Sequence, residues 1–401
     1  MFNENASKRI KEFKDLKALA SLMSDFGINS DDSSQLLLKA LSGDDLDYQE
    51  EVDVSKKVKK YFKRGTKTAP VGDQLKKYVD NVIKPYMEDD SYSADVVDSF
   101  TRQTIAGGDG HGLGIVLTPP VFADFMAELL DVKGQTVIDP CCGTGSLLVG
   151  ASRHQPKKLI GVEYQQKLAN LARQNLDIQC QNIPHQVIKG DIFKDLSKLE
   201  YSRVIINPPY STKQKGMDFV DEAIKHLNPG GRAVVLIQEN AGLGKVAESF
   251  KSILKSCHLE ETIKAPTYLF TPMASVQTAV YVFVKDRPHD FKNDKVTFIN
   301  FDDDGYHRTK KSLSAKNSPV QAYQKVLSQD LDNDHISHEA IGKDCKDIAW
   351  MQHYHPSLIP TAEDFMKVVG DYMDWKFDEI RKQARYEAIE DLKKLEAQGK
   401  D

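Results

Sequence analysis

The sequence predicts an α/β fold, a parallel sheet covered on both faces. A helical N-terminal domain occupies residues 1–95, the sheet domain 96–330 and a helical tail 331–401. Three observations predict this. Between Thr136 and Val284, short apolar segments alternate with amphipathic ones, as buried strands joined by crossover helices do. Over the first 95 residues, apolar side chains recur three or four apart, the helical period. Beyond Thr361 the same period continues nearly to the C-terminus.

The elements follow in order. Residues 8–26 set Ile10, Phe13, Leu16, Ala20 and Met23 on one stripe. Gly27 and the polar run 29–32 end it. A second helix runs from Ser33 to Gly43, a basic segment from Lys56 to Phe62, and a further helix from Gln74 to Met87. Gly107, Gly108, Gly110, Gly112 and Gly114 form a glycine-rich loop. Thr118-Pro119-Pro120 opens the next helix, with Thr suited to the N-cap and Pro to the first helical position. Strands are expected at 136–139, 158–163, 185–191 and 203–209, with helices after the first, second and fourth. Strands 232–238 and 275–284 close the sheet, and a short strand lies at 296–301. In the tail, Thr361 and Asp364 form a capping pair. Phe365, Val368, Tyr372, Trp375, Ile380, Ala384, Ala388, Leu392 and Leu395 continue the helix.

Composition excludes several classes. The 401 residues suit two or three domains. No apolar run is long enough for a membrane span, which argues against a transmembrane enzyme. The start, Met1 to Asn5, has no apolar signal core, so a cytoplasmic protein is expected. Five cysteines without a C-x-x-C pair argue against a disulfide framework or zinc knuckle. The net charge of −5 argues against a surface wholly devoted to nucleic acid. The charge is uneven, however. Residues 330–401 hold 17 acids against 10 Lys or Arg, a net of −7, which leaves residues 1–329 at +2.

Asp139-Pro140-Cys141-Cys142-Gly143-Thr144-Gly145-Ser146 lies between a strand and a helix. Its glycines let the backbone approach a ligand and expose amides at a helix N-terminus. It is neither G-x-G-x-x-G nor a phosphate loop. The acids decide the reading. Glu163 ends the second strand, 24 residues after Asp139, where a carboxylate can accept both ribose hydroxyls. Asp191 ends the third strand, where it can accept from an adenine amino group. These placements suit an adenosine ligand with a charged tail and no phosphate.

Asp139-Pro-x-x-Gly-Thr-Gly, Gly161-Val-Glu163, Asp191 and Asn207-Pro208-Pro209-Tyr210, with Thr118-Pro119-Pro120 upstream, carry a resemblance. In this order they resemble the S-adenosylmethionine-dependent N6-adenine DNA methyltransferases of the gamma class. Residues 269–285 resemble the later strand region of the methyltransferase (modification) subunit of type I restriction–modification systems. The specific motifs cover residues 110–285.

The resemblance implies a Rossmann-like methyltransferase sheet and S-adenosylmethionine as cofactor. It implies cofactor contacts from Leu117, Thr118, Pro119, Asp139, Gly143, Thr144, Gly145, Ser146, Glu163, Asp191 and Ile192. Asn207 and the Pro208 carbonyl would accept the amino hydrogens of adenine, with Pro209 stiffening the turn. The target base would flip out of the duplex and stack on Tyr210 and Phe270. DNA is the implied substrate. A separate specificity subunit, and with it a restriction subunit, are the implied partners in a hetero-oligomer. Alternatives are a stand-alone or phage-type enzyme, a protein-glutamine methyltransferase, which also carries N-P-P-Y, and a non-catalytic scaffold.

Other signals carry less. Pro140-Cys141 sits inside the cofactor turn, away from the position of a cytosine-C5 nucleophile. His335, His338, His353 and His355 match no common zinc spacing, and no metal is expected. Residues 56–67 hold seven Lys or Arg and no acid. Lys56, Lys57, Lys59, Lys60, Lys63 and Arg64 are candidates for DNA-backbone contact.

Overall fold

A computed structural model describes residues 5–28, 30–44, 46, 51–53, 68–88, 95–107, 117–239, 247–271, 274, 276–309, 312–353 and 362–398. The chain divides into two units, Met1–Tyr354 and His355–Asp401. The basic residues Lys56 to Arg64, and the glycines from Gly108 to Gly114, lie outside the described residues.

The first unit begins with α1 (Ala6–Asp25), α2 (Ser30–Ser42) and a strand pair, β1 (Glu51–Asp53) and β2 (Thr68–Pro70). Helix α3 (Val71–Tyr78) runs through a π turn (Val79–Ile83) into α4 (Lys84–Met87), and α5 (Val96–Gly107) follows. The helix expected over 74–87 is thus broken into three pieces. Pro85 has no N–H to give the ladder, and the widened turn precedes it. The inward face of α1 also differs from the apolar stripe. Arg9, Glu12 and Asp15 are buried beside Leu16 and Leu19, while Ile10, Phe13 and Ala20 are only half-buried. Partners make that burial tolerable. Tyr86 Oη donates to Asp15 Oδ2 at 2.7 Å, and Tyr78 Oη donates to the Asp15 carbonyl at 3.0 Å. This helical core also takes in Leu168 and Leu171 of the sheet domain, and α5 carries it past residue 95.

The sheet domain follows as α6 (Pro120–Leu130), β3 (Thr136–Asp139), α7 (Ser146–Ser152), β4 (Lys158–Glu163), α8 (Gln166–Gln179) and β5 (His185–Lys189). Next come α9 (Ile192–Asp195), β6 (Arg203–Ile206), α10 (Met217–His226), β7 (Gly231–Gln238), α11 (Ala247–Ile253), β8 (His258–Lys264) and β9 (Thr278–Lys285). β10 (Val296–Asn300), β11 (Tyr306–Arg308), β12 (Leu313–Ala315), α12 (Pro319–Leu327) and β13 (Ile336–Glu339) complete the unit.

Among the described residues, nine strands form one sheet in the order β13-β10-β8-β9-β7-β6-β3-β4-β5. β3 to β7 are mutually parallel, and β9 enters antiparallel between β7 and β8. Alternation sorts the core. On β7, Val234 and Leu236 pack on the side of α6, while Ala233, Val235 and Ile237 pack with Val220 of α10 and Phe250 of α11. After β3 the chain winds outward through β4 and β5, then returns to place β6 on the other side of β3. That reversal is the switch point where such sheets bind ligands.

Residues 331–354, expected in the tail, belong to the first unit. β13 pairs antiparallel with β10, and Trp350 is buried in the α10–α11 core. In the second unit, α13 (Ala362–Gln398) is one long helix. Among the described residues, no helix is long and apolar enough to cross a membrane.

Candidate active site

The carboxyl ends of β3, β4, β5 and β6 surround one cleft of about 620 Å³, within the usual range for a small-molecule site. After β3 the backbone turns sharply. Gly143 has φ +53°, and a side chain there would point into open space. Gly145 has φ +87° and stands at the N-cap of α7, whose first residue, Ser146, reaches the cleft. Gly161 lets β4 pass the turn, since a Cβ on it would lie 2.8 Å from Cys142 Sγ.

Three carboxylates line the cleft. Asp139 is buried and accepts from the Cys141 N–H at 3.0 Å. Burial first, and the charge of Glu163 second, push its pKa up to about 8. Glu163 accepts from the N–H of Gly143 at 3.0 Å and of Gln165 at 2.7 Å. Burial raises its pKa against those bonds. Asp191 caps α9, accepting from the Phe193 N–H at 3.1 Å and pairing with Lys194 at 3.0 Å. The bond from Lys194 lowers its pKa. Burial raises the thiol pKa values of Cys141 and Cys142 well above the ordinary value, so neither is an activated nucleophile.

Thr118, Asn207 and Tyr210 meet beside the end of β6. Asn207 Nδ2 donates to Thr118 Oγ1 at 3.1 Å, and Tyr210 Oη donates to Asn207 Oδ1 at 2.6 Å. Burial raises the Tyr210 pKa, which keeps its hydroxyl protonated. The Pro208 ring packs under Gly216, where a Cβ would lie 2.7 Å from Pro208 Cγ. Thr118 is not the N-cap of α6. Pro119 holds that position and Pro120 is the first helical residue. The Thr118 hydroxyl is turned instead towards Asn207.

The cleft brings together most of the residues singled out from sequence. Leu117, Thr118, Thr144, Ile192 and the whole Asn207–Tyr210 turn line it with the acids. Pro119 and Gly145 shape its backbone without lining it. Phe270 is a correction. It is 1% exposed and packed in the core with Leu269 and Val280, so no base can reach its ring. Tyr268, in the same turn, is 66% exposed. Sequence reasoning missed an aromatic wall of Tyr164, Phe193 and Phe219. The rings of Phe193 and Phe219 lie 5.2 Å apart. Tyr164 directly follows Glu163, and Phe193 stands two after Asp191, so adjacency to the strand-end acids was the available signal.

The donor set fits an adenosine ligand with a cationic tail. Two carboxylates stand at neighbouring strand ends, an aromatic wall flanks them, and a third acid lies inside. Thr144 Oγ1 is buried in the cleft wall without a hydrogen-bond partner. The histidines are otherwise engaged. His335 bonds Asp332 at 2.6 Å, His338 bonds Thr297 at 3.1 Å, and His353 bonds Glu339 at 3.0 Å and stacks on Phe298. His355 lies outside the described residues.

The profile of the N-6 DNA methylase family matches residues 99–353. The type II restriction enzyme and methyltransferase RM.BcgI of Heyndrickxia coagulans is 28% identical over 321 residues, covering 71% of this chain and 50% of that protein. The type I restriction enzyme EcoEI methylase subunit of Escherichia coli is 24% identical over 230 residues, covering 48% of this chain and 46% of that subunit. The chain therefore spans about half the length of these curated relatives. Among solved structures, the type I restriction-modification system methyltransferase subunit from Streptococcus thermophilus superposes with a TM-score of 0.53 at 18% identity, over 84% of this chain and 79% of that one. A chain of a type I R-M system superposes with a TM-score of 0.56 at 16% identity, over 80% and 76%. These likenesses show the fold.

Proposed function

The chain belongs to the N-6 DNA methylase family, and from that premise we propose that it methylates the exocyclic nitrogen of adenine in DNA as the modification subunit of a type I-like restriction–modification system. One observation carries the reading. The Asn207-Pro208-Pro209-Tyr210 turn and the three acids open into the same cleft at the switch point of the sheet.

S-adenosylmethionine, when bound, supplies an electrophilic methyl group on a sulfonium. Glu163 would hold its ribose hydroxyls, Asp191 its adenine amino group, and Asp139 with the Gly143–Ser146 turn its charged tail. The work at the nucleophile falls to Asn207. Adenine's amino nitrogen is a poor nucleophile because its lone pair is delocalised into the ring. Asn207 Oδ1 and the Pro208 carbonyl accept its two hydrogens, which favours a tetrahedral nitrogen and frees the lone pair. Pro208 and Pro209 fix that backbone before the base arrives. Extruding the base costs a few kcal/mol, and stacking on Tyr210 returns about 1–3 kcal/mol.

DNA-backbone contact by Lys56 to Arg64 and partner contact by α13 belong to the same proposal. The relative from Escherichia coli is by name a subunit, which supports a partner here, a separate specificity subunit above all. The test is transfer of labelled methyl groups from S-adenosylmethionine to DNA, by the protein alone and with co-purifying subunits, followed by nucleoside analysis. N6-methyladenine is the expected product. Labelled protein with unlabelled DNA would replace this reading with glutamine methylation.

A further inference from the structure

We propose that Thr118 is a positioning residue for methyl transfer: its hydroxyl bonds the Asn207 amide nitrogen and so holds the amide in the place where its oxygen meets the substrate nitrogen. The inference rests on the adenine-methyltransferase reading and assigns Thr118 a task other than cofactor contact or helix capping.

The Asn207 side chain can act on the amino group only while its amide is held within hydrogen-bonding reach of it. An amide that swings out of that place offers no acceptor, and the tetrahedral nitrogen loses its stabilisation. Within the cleft the amide is gripped at both ends. Nδ2 donates to Thr118 Oγ1 at 3.1 Å, while Oδ1 accepts from Tyr210 Oη at 2.6 Å. Thr118 is 2% exposed, so little water competes for that amide hydrogen.

The backbone supports the same assignment. Thr118 and Asn207 each precede a Pro-Pro pair. A residue before proline is confined to extended conformations, so both partners are held on stiff backbone although they lie 89 residues apart. The Tyr210 hydroxyl fills the acceptor position at Oδ1 until the base arrives. It then gives up that place to the substrate N–H, while Thr118 keeps its bond throughout.

Thr118→Val removes Oγ1 with little change of shape, and Thr118→Ser restores it. Methyl transfer to DNA is measured at steady state with the protein and any co-purifying subunit. Cofactor affinity by titration calorimetry and the melting midpoint are read on the same preparations. The expected result for Thr118→Val is a kcat about 10- to 100-fold lower, as for a misplaced catalytic group, with cofactor affinity and melting near wild type. Thr118→Ser is expected to recover most of kcat. If Thr118→Val does not fold, Thr118→Ala against Thr118→Ser gives the same comparison. A wild-type kcat in the hydroxyl-free variant overturns the inference. So does a loss of cofactor affinity that matches the loss of rate. A wild-type protein that methylates no DNA in any of these preparations overturns the underlying reading, and the inference with it.

Discussion

Asp139 at the end of β3 and Asn207 just past β6 stand on neighbouring strands, and each makes a separate demand. On the proposed reading, Asn207→Ala removes one of the two acceptors for the reacting nitrogen. Losing a single preorganised group of this kind costs about 10²–10³ in kcat. Cofactor affinity by calorimetry is expected to stay near wild type, and a variant that keeps its rate would remove Asn207 from the chemistry. Glu163→Ala should do the reverse. It deletes charge-assisted bonds worth about 1.5–3 kcal/mol, so cofactor affinity falls about 10- to 100-fold, and unchanged affinity would remove its ribose role. Asp139 adds a pH signature. Its pKa of about 8 in the fold stands against about 3.9 in an unfolded chain. Between those values the folded protein holds a proton that the unfolded chain has lost. Stability from this group therefore falls as pH rises towards 8. A cationic ligand beside Asp139 favours the carboxylate, so cofactor binding near neutral pH should release a proton. Calorimetry in buffers of different ionisation heat checks this. A binding heat that does not depend on the buffer would place the cationic tail elsewhere.

At the scale of elements, what was legible in the sequence divides by mechanism. β3, β4, β6 and β7 were readable because strands buried on both faces are continuous apolar runs. β8 was not. His258, Glu260, Glu261 and Lys264 interrupt it, and a bulge between Leu259 and Glu261 breaks the alternation. It forms because β9 and β10 pair with both its edges, a long-range fact that local pattern does not hold. The stripe on α1 was misread for a related reason, since Asp15 is buried by tyrosines from α3 and α4. In the site, backbone-defined features were legible: the glycine turn, the strand-end acids and the Pro-Pro turn. Side-chain direction was not, and Phe270 shows why. Its place in the later strand region marked it as a stacking residue, but packing turned its ring into the core. Phe270→Ala is therefore expected to lower stability by about 3–5 kcal/mol, seen in denaturant unfolding. Phe270→Leu should largely keep both stability and methylation. Loss of methylation in a fully folded Phe270→Leu protein would return the ring to the base site.

For the whole molecule, the net charge no longer counts against DNA, because the acidity lies in residues 330–401 and leaves the remainder near neutral. The second unit asks for a different kind of contact. Along α13, Phe365, Val368, Tyr372, Trp375, Phe377 and Ile380 are all more than half exposed. At 3.6 residues per turn they, with Val369 and Met373, spread over about 200° of the helix, wider than the seam of a two-helix zipper. An arc of that width is covered by two neighbouring helices. Large aromatic anchors are the residues that dominate association energy, and Tyr372 and Trp375 lie side by side here, with ring centres 5.8 Å apart. The subunit reading then predicts a helical partner that packs on this arc. Tyr372→Asp with Trp375→Asp should abolish co-purification of a co-expressed specificity subunit, as seen by size-exclusion chromatography with light scattering. Cofactor affinity and the melting midpoint of the catalytic unit should stay near wild type, because Glu163 and Asn207 belong to the other unit. A complex that survives both substitutions would move the partner contact away from α13. A loss of cofactor affinity would tie the tail to the catalytic site itself.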